Sequence, residues 1–328
     1  MAWLNNWLAY LGGGGRRAAA SVMAWFDRRR LALAGAGVAV FIAAYYALGM
    51  VVVHEIDDNL AFTPRPEGES AGESRAIALV IGLIDREVNR HGWVANDPFF
   101  FPTALLDNMP NYQQGMRRSL TLFITEMRDQ IGRNRGSSAA DADLETAVSK
   151  LNYQGDVWVL AGLLPRQSSE SAYREALSAL RAYNRRVATG EAAFERRADN
   201  LLATLNKLAL DLGDASASID AHVAARSDDL LDLAGDDLFY DVKGRAYAVH
   251  MVLQGLEEDF AEVLANRGLG NVWAAAKKSL ADLQAMRPWM VVNGAADSQF
   301  LPNHLLAEGF YLMRARTQLR EITNILEK

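Results

Sequence analysis

The sequence predicts an all-α protein with one transmembrane helix near its N-terminus, and three observations support that prediction. The 23 residues 31–53 contain no charged side chain. From Arg75 onward, apolar residues recur at the three- and four-residue spacing of amphipathic helices. The apolar runs at residues 157–160 and 291–292 are too short to build a sheet.

Residues 31–53 have the length and composition of a membrane span. About 20 apolar residues cross a hydrocarbon core of roughly 30 Å, and a single span can satisfy its backbone polar groups only as a helix. A cleaved signal peptide is the competing interpretation, but its apolar core is only about 7–15 residues long and ends at a small-x-small site. This run is longer and ends in Met50 and three Val residues, so the sequence favours an anchor.

The charges that flank the apolar run predict its orientation. Arg28, Arg29 and Arg30 directly precede it, whereas acidic residues follow it within five positions. Because a positively charged flank stays in the cytoplasm, residues 1–30 are predicted to be a short cytoplasmic segment. The C-terminal part then lies outside, which in a bacterium is the periplasm, and the protein is predicted to be a single-pass inner-membrane protein.

Charge and cysteine content exclude several classes of protein. Residues 1–30 carry five Arg and one Asp, so the rest of the chain has a net charge of −10 against a total of −6. An acidic outer domain argues against nucleic acid as a partner. The chain has no Cys, which excludes disulfides, thiolate metal sites and thiol nucleophiles.

Residues 54–74 are predicted to be a linker, because their second half, TPRPEGESAGES, contains no large apolar residue. Residues 75–328 are predicted to be a periplasmic all-α domain. Its first elements are predicted as a helix from Arg75 to about His91, a helical turn at 103–106, and helices at 113–131 and 141–151.

The stretch from residue 171 to 226 has the most regular pattern in the chain. Its apolar positions recur at coiled-coil-like spacing, and the phase is kept across Gly190. This favours one long continuous or kinked helix, and a helical hairpin turning at 189–190 explains the same pattern. Further helices are predicted at 236–265, 272–286 and 305–326. The last of these is predicted to face inward through Leu306, Phe310, Met313, Leu319, Ile322 and Leu326.

Two segments that connect helices combine Pro, aromatic residues and Asn: residues 99–115 and 287–305. If both lie at the same end of the bundle, they form one face, which is the candidate binding surface. Two well-packed helix connections are the alternative. The candidate residues of this surface are Phe100, Asn108, Asn111, Tyr112, Trp289, Asn293, Asn303, His304 and Glu308.

No pattern in the sequence predicts a catalytic or metal centre. The five histidines are too far apart in the chain for two of them to share one helical turn, so no HxxxH or HExxH motif exists. His304 and Glu308 are four residues apart on a predicted helix and form the best candidate for proton or metal chemistry, although such a pair is more often structural. The acidic cluster between residues 214 and 237 lacks EF-hand spacing. No cofactor or metal is therefore predicted.

Four motifs resemble a known family, the bacterial inner-membrane proteins grouped as domain of unknown function 2333. They are LDNMPNYQQGM at 106–116, FYDVKGRAYAVHMVL at 239–253, RPWMVVNG at 287–294 and LPNHLLAEGFYLMRAR at 301–316. The resemblance runs from the span to the C-terminus. It implies a single-span envelope protein, and it implies no activity, cofactor or catalytic residue.

The sequence thus predicts a non-enzymatic, membrane-anchored helical scaffold or protein-interaction module within an inner-membrane or envelope complex. Its expected partners are the membrane and other envelope proteins, and the heptad pattern also allows a homo-oligomer. One alternative is a ligand-sensing periplasmic domain that signals through a partner. Another is an envelope hydrolase that uses His304 and Glu308.

Overall fold

A computed structural model describes residues 28–64, 72–134, 141–161, 164–226, 233–294 and 301–328. Within these ranges the chain forms ten α-helices and a single pair of two-residue strands, which confirms the all-α prediction. Most of the predicted cytoplasmic segment, with Arg16 and Arg17, lies outside the described residues. The chain divides into two compact units, residues 1–53 and 54–328.

Helix α1, Arg28–Val53, makes up the described part of the first unit. From Arg30 to Val53 it is long and apolar enough to cross a membrane. Near the N-terminus of a chain, such a helix serves as an anchor or as a signal sequence.

The second unit contains nine of the α-helices. Their bounds are α2 Arg75–Asp85, α3 Asn108–Asn134, α4 Ala142–Leu151, α5 Ser169–Thr189, α6 Ala198–Arg226, α7 Leu233–Asp259, α8 Ala261–Asn266, α9 Gly270–Gln284 and α10 His304–Leu326. A π-helical turn, Arg86–Arg90, extends α2, and a 3-10 turn spans Pro102–Leu105. Strands β1 Leu160–Ala161 and β2 Leu164–Pro165 pair antiparallel. Outside residues 171–226, each region predicted to be helical is helical, within about five residues of its expected bounds, although the helix expected at 236–265 is divided at Phe260 into α7 and α8.

Local capping explains where several helices begin. The Ser74 hydroxyl accepts a hydrogen bond from the Ile77 amide at the start of α2, and Asp141 accepts bonds from the Asp143 and Leu144 amides at the start of α4. Asn303 caps α10 by accepting from the Leu306 amide. Each side chain satisfies a backbone donor that the first helical turn leaves without a partner.

The prediction of one long helix over residues 171–226 is wrong. Helix α5 ends at Thr189, Gly190 adopts the left-handed conformation with φ of 76°, and α6 begins only at Ala198. Glycine adopts this conformation without the steric cost that a Cβ would bring. The two helices do not form the alternative hairpin pair either, since α5 packs on α2 and α4 while α6 packs on α3 and α10.

Helix α7 lies at the centre of the bundle and packs against α2, α3 and α9. Its closest crossing is with α3, at Gly115 and Gly244. A Cβ on Gly115 would lie 2.0 Å from the Asp241 carbonyl oxygen, and one on Gly244 would lie 2.1 Å from the Tyr112 carbonyl oxygen. The two backbones can approach this closely only because both positions are glycine.

The inward face of α10 differs from the predicted one. Leu319, Ile322 and Leu326 are buried as expected. Phe310 and Met313, which were expected to face inward, are 50% and 56% exposed. The buried face runs instead through residues 305, 308, 312 and 315, which places Glu308 in the core.

Candidate functional site

The residues that follow the apolar helix are held against the bundle by buried charges. We refer to residues 55–62 as the entry segment. These residues fall within the predicted linker, but Ile56, Leu60 and Phe62 pack against the core of the helical domain. Only residues 65–71 of that predicted linker lie outside the described chain.

Arg86 is the main residue that holds the entry segment. Its side chain is 2% exposed, and its guanidinium lies 3.0 Å from an Asp57 carboxylate oxygen and 2.9 Å from the Asp57 carbonyl oxygen. It also lies over the Phe62 ring, 5.0 Å from the centroid. On the bundle side it pairs with Glu87 at 2.8 Å, and one of its nitrogens lies 3.0 Å from the Tyr247 hydroxyl oxygen. A buried guanidinium with this many partners fixes the segment to α2 and α7.

A second buried pair holds the next residue of the entry segment. The Lys243 ammonium lies 3.1 Å from an Asp58 carboxylate oxygen, and the two side chains are 3% and 8% exposed. Lys243 also donates to the Met286 carbonyl at 2.8 Å. Burial lowers the pKa of Lys243, while the Asp58 charge opposes that shift. The Tyr247 hydroxyl donates to the Asn59 carbonyl at 2.9 Å, which adds a neutral bond to the same segment.

Glu87 extends the charged network to His91. Burial alone would raise the pKa of Glu87, but contact with His91 and the charge of Arg86 outweigh it, so that its pKa is lowered. The same contact with Glu87 raises the pKa of His91 against the effect of burial. His91 lies 3.6 Å from Glu55 on the entry segment. At neutral pH this network therefore keeps a buried anion beside a buried cation.

The two predicted binding segments both contact the entry segment. From residues 99–115, the Met109 sulfur accepts from the Glu55 amide at 3.5 Å and the Tyr112 hydroxyl donates to the Asp57 carbonyl at 3.1 Å. From residues 287–305, Arg287 pairs with Asp58 at 2.5 Å. Residues 55–58 are consecutive, so both segments reach the same end of the domain.

In the first segment, the candidate residues have different roles. Phe100 is 46% exposed and packs edge-on against Trp158 at 5.5 Å. Tyr112 is 1% exposed, and burial raises its pKa well above the usual value. Asn111 donates to an Asp237 carboxylate oxygen at 2.7 Å, and Asn108, with its amide flipped, donates to Asp236 at 2.6 Å. Burial, with the charges of Asp107 and Asp237, raises the pKa of Asp236 to about 6.

In the second segment, Trp289 is exposed, whereas Asn293, Asn303 and His304 form hydrogen bonds that join the two ends of the segment. Trp289 is 98% exposed. Asn293 is 1% exposed and accepts from Asn303 at 2.6 Å, and the two residues form an isolated β-bridge. The His304 Nδ1 accepts from the Val292 amide at 2.9 Å, and burial lowers the pKa of His304. The hydrogen bonds of Asn293, Asn303 and His304 therefore hold residues 292–293 against the first residues of α10.

Glu308 is buried in the core. It is 0% exposed, and neither carboxylate oxygen has a hydrogen-bond partner among the described residues. Burial raises its pKa well above the usual value, and the nearby Lys243 charge opposes this only in part. Because its oxygens make no hydrogen bond, Glu308 does not bond to His304, and the geometry does not join the two into a catalytic pair.

A protein-family model matches most of the chain. Residues 67–232 and 230–328 match the family described as "Uncharacterized protein conserved in bacteria (DUF2333)". The chain belongs to this family. The match covers most of the chain and confirms the resemblance predicted from the four motifs. No curated protein and no solved structure matches.

Sequence reasoning missed the charged network of this DUF2333 chain, although one signal for it was present. Arg86, Lys243 and Glu308 each interrupt an otherwise apolar face of a helix. Charged residues at such positions are almost never buried unless they are paired. The partners of Arg86 and Lys243 could not be predicted, because in the sequence Asp57 and Asp58 are simply acidic residues that flank the span.

A short motif known from hydrolases lies between the entry segment and α2 in the sequence. Residues 68–72 read GESAG and match the short G-x-S-x-G pattern, whose serine acts on a turn between a strand and a helix. The described residues 54–64 before it form no strand, and residues 65–71 lie outside the described chain. Within the described part of this DUF2333 protein, no group of three His, Asp or Glu residues is arranged to hold a metal ion.

Proposed function

We propose that this DUF2333 protein is a membrane-anchored helical scaffold of the bacterial envelope. In this proposal α1 is an uncleaved anchor in the inner membrane, and the short N-terminal segment lies in the cytoplasm. The helical domain lies in the periplasm, where it binds other envelope proteins.

The attachment of the entry segment is the observation that carries the proposal. Asp57 and Asp58 lie four and five residues beyond the end of α1, and both form ion pairs with buried cations of the bundle, Arg86 and Lys243. A free tether after an anchor would be a flexible linker exposed to solvent. Fixed residues at this position instead support a domain that is held close to its membrane, as a scaffold requires.

The exposed side of α10 is the surface that we propose for protein contact. Phe310 and Met313 are three residues apart and therefore neighbours on one helical face. Apolar helical faces at i and i+3 spacing are a common recognition surface for partner proteins. The hydrolase alternative gains less support, because His304 Nδ1 is bonded to a backbone amide and Glu308 is buried.

Photo-crosslinking in the native host tests this function. A photoreactive residue replaces Phe310 in the full-length tagged protein, and the control carries it at Ala265, which is exposed on α8. We expect an adduct with a specific envelope protein, or with a second copy, at position 310 and no such adduct at 265. Identical labelling at both positions, or none at 310, contradicts the proposal.

A further inference from the structure

We propose that the end of the helical domain that holds residues 55–58 carries an aromatic surface that inserts into the headgroup region of the bilayer. The inference rests on the part of the proposed function that makes α1 an anchor. In this inference, the binding surface predicted at residues 99–115 and 287–305 binds lipid and not another protein. We define the aromatic surface as Phe99, Phe100, Phe101, Leu105, Trp289 and Met290.

The aromatic surface contains the most exposed aromatic side chains described in the helical domain. Trp289 is 98% exposed and Phe99 is 82% exposed. Phe100 continues the surface by packing against Trp158, which precedes the β1–β2 hairpin with its 73% exposed Leu164. Ten of the thirteen exposed large hydrophobic residues described between 54 and 328 lie within 99–105, 159–164 and 289–301. Such clustering marks an interaction surface, whereas single exposed apolar residues are ordinary.

Chain connectivity supports a position of this surface near the membrane. Glu55 is the second residue after Val53, so the chain keeps it within about 7 Å of the end of α1. Its amide donates to Met109, which follows Leu105 by four residues. Asp58 pairs with Arg287, two residues before Trp289. Both parts of the aromatic surface are therefore joined to the residues that leave the anchor.

The chemistry of the surface suits a lipid interface. Tryptophan and phenylalanine at exposed positions enter the boundary between headgroups and acyl chains, and Trp is enriched at this depth in membrane proteins. The charged residues on these segments are of both signs, since Arg287 pairs with Asp58, and Asp236 and Asp237 bond to Asn108 and Asn111. Attraction to anionic headgroups is therefore not the driving force, and we expect insertion into neutral vesicles that persists at high salt.

The absence of Cys allows a direct test in the full-length chain. Three single-cysteine variants, Phe99→Cys, Trp289→Cys and Ala265→Cys, are labelled with an environment-sensitive fluorophore and reconstituted into phosphatidylcholine vesicles. Ala265 is the matched control, because it is exposed and lies beyond the C-terminal end of α7, whose residues 243–259 rise about 24 Å along the helix. Each membrane-facing variant keeps the other aromatic residues of the surface.

We expect the probes at 99 and 289 to emit at shorter wavelength than the probe at 265 and to lose intensity with spin-labelled lipid. Equal emission and quenching at the three positions would overturn the proposal. An emission shift that occurs without lipid quenching and grows with the density of protein in the vesicles would indicate contact between copies of the chain. That result would also overturn the proposal. Flotation with the vesicles after alkaline extraction tests the anchor separately, so failure of α1 as an anchor is distinguishable from failure of the aromatic surface.

Discussion

Glu308 occupies a position at which the sequence pattern calls for an apolar side chain. It lies between Leu305 and Leu312 on the buried face of α10, and its oxygens make no hydrogen bond within the described chain. An unsatisfied buried polar group costs roughly 1–3 kcal/mol. Glu308 therefore lowers the free energy of unfolding of the domain. This makes it the best single residue at which to test the electrostatics of the core.

Replacement of Glu308 by Gln is expected to change how stability depends on pH. The folded-state pKa of Glu308 is raised, so its contribution is fully present below the unfolded value near 4.5 and is lost as pH rises toward the folded pKa. The loss is at most about 1.4 kcal/mol per pH unit. Urea unfolding between pH 4 and pH 8 should show a flatter profile for Glu308→Gln than for the parent protein. Glu321→Gln, exposed on the same helix, is the control and should keep the parent profile.

Arg86 is expected to be far more important for stability than a surface arginine. Arg86→Met removes the partner of Asp57 and leaves the buried Glu87 with only His91 to pair with among the described residues, which costs roughly 3–5 kcal/mol. Arg181→Met removes an exposed ion pair with Asp85 that is worth roughly 0–1 kcal/mol. Denaturant titration of both variants measures the difference. Comparable losses for the two would mean that the network around Arg86 does not fix the entry segment.

At the scale of single elements, the crossing of α3 and α7 depends on two glycines. Gly115→Ala or Gly244→Ala would place a Cβ about 2 Å from a backbone oxygen, which cannot rotate away. We expect each substitution to lower the free energy of unfolding by roughly 1–3 kcal/mol or more. Gly309→Ala is the matched control, because its Cβ would lie 3.6 Å from Ile219, an ordinary contact, and Ala favours a helix by about 1 kcal/mol. Thermal unfolding that ranks Gly309→Ala below the other two would refute this account.

The helices show what periodicity can and cannot predict. The pattern around Ile77, Val80 and Ile84 predicted α2 correctly, because three neighbouring apolar positions define one face. The heptad phase across Gly190 was misleading, since a seven-residue gap keeps the phase whether or not the chain remains helical. On α10 the choice of Phe310 and Met313 over Glu308 followed hydrophobicity alone, and tertiary packing selected the other face.

At the scale of the whole molecule, the candidate site could be predicted only in part. The composition of residues 99–115 and 287–305 singled out two segments that both reach residues 55–58. The sequence could not reveal that residues 55–62 fold against the bundle, because their hydrogen bonds and ion pairs with it are made with residues at distances of 29 to 229 positions along the chain. Pairings of this range depend on the assembled core rather than on any local pattern.

The orientation of the whole chain is expected to follow the arginines before α1. With the helical domain in the periplasm, the cysteine of an Ala265→Cys variant should react with a membrane-impermeant maleimide in cells whose outer membrane alone is permeabilised. Replacing Arg28, Arg29 and Arg30 by Glu should reduce the labelled fraction, because only charges close to a span set its orientation. The same change at Arg174, Arg181 and Arg185, which are exposed on α5, alters the total charge equally and should leave labelling unchanged. Labelling of the parent variant only after the inner membrane is disrupted would place the domain in the cytoplasm and reverse the proposed topology.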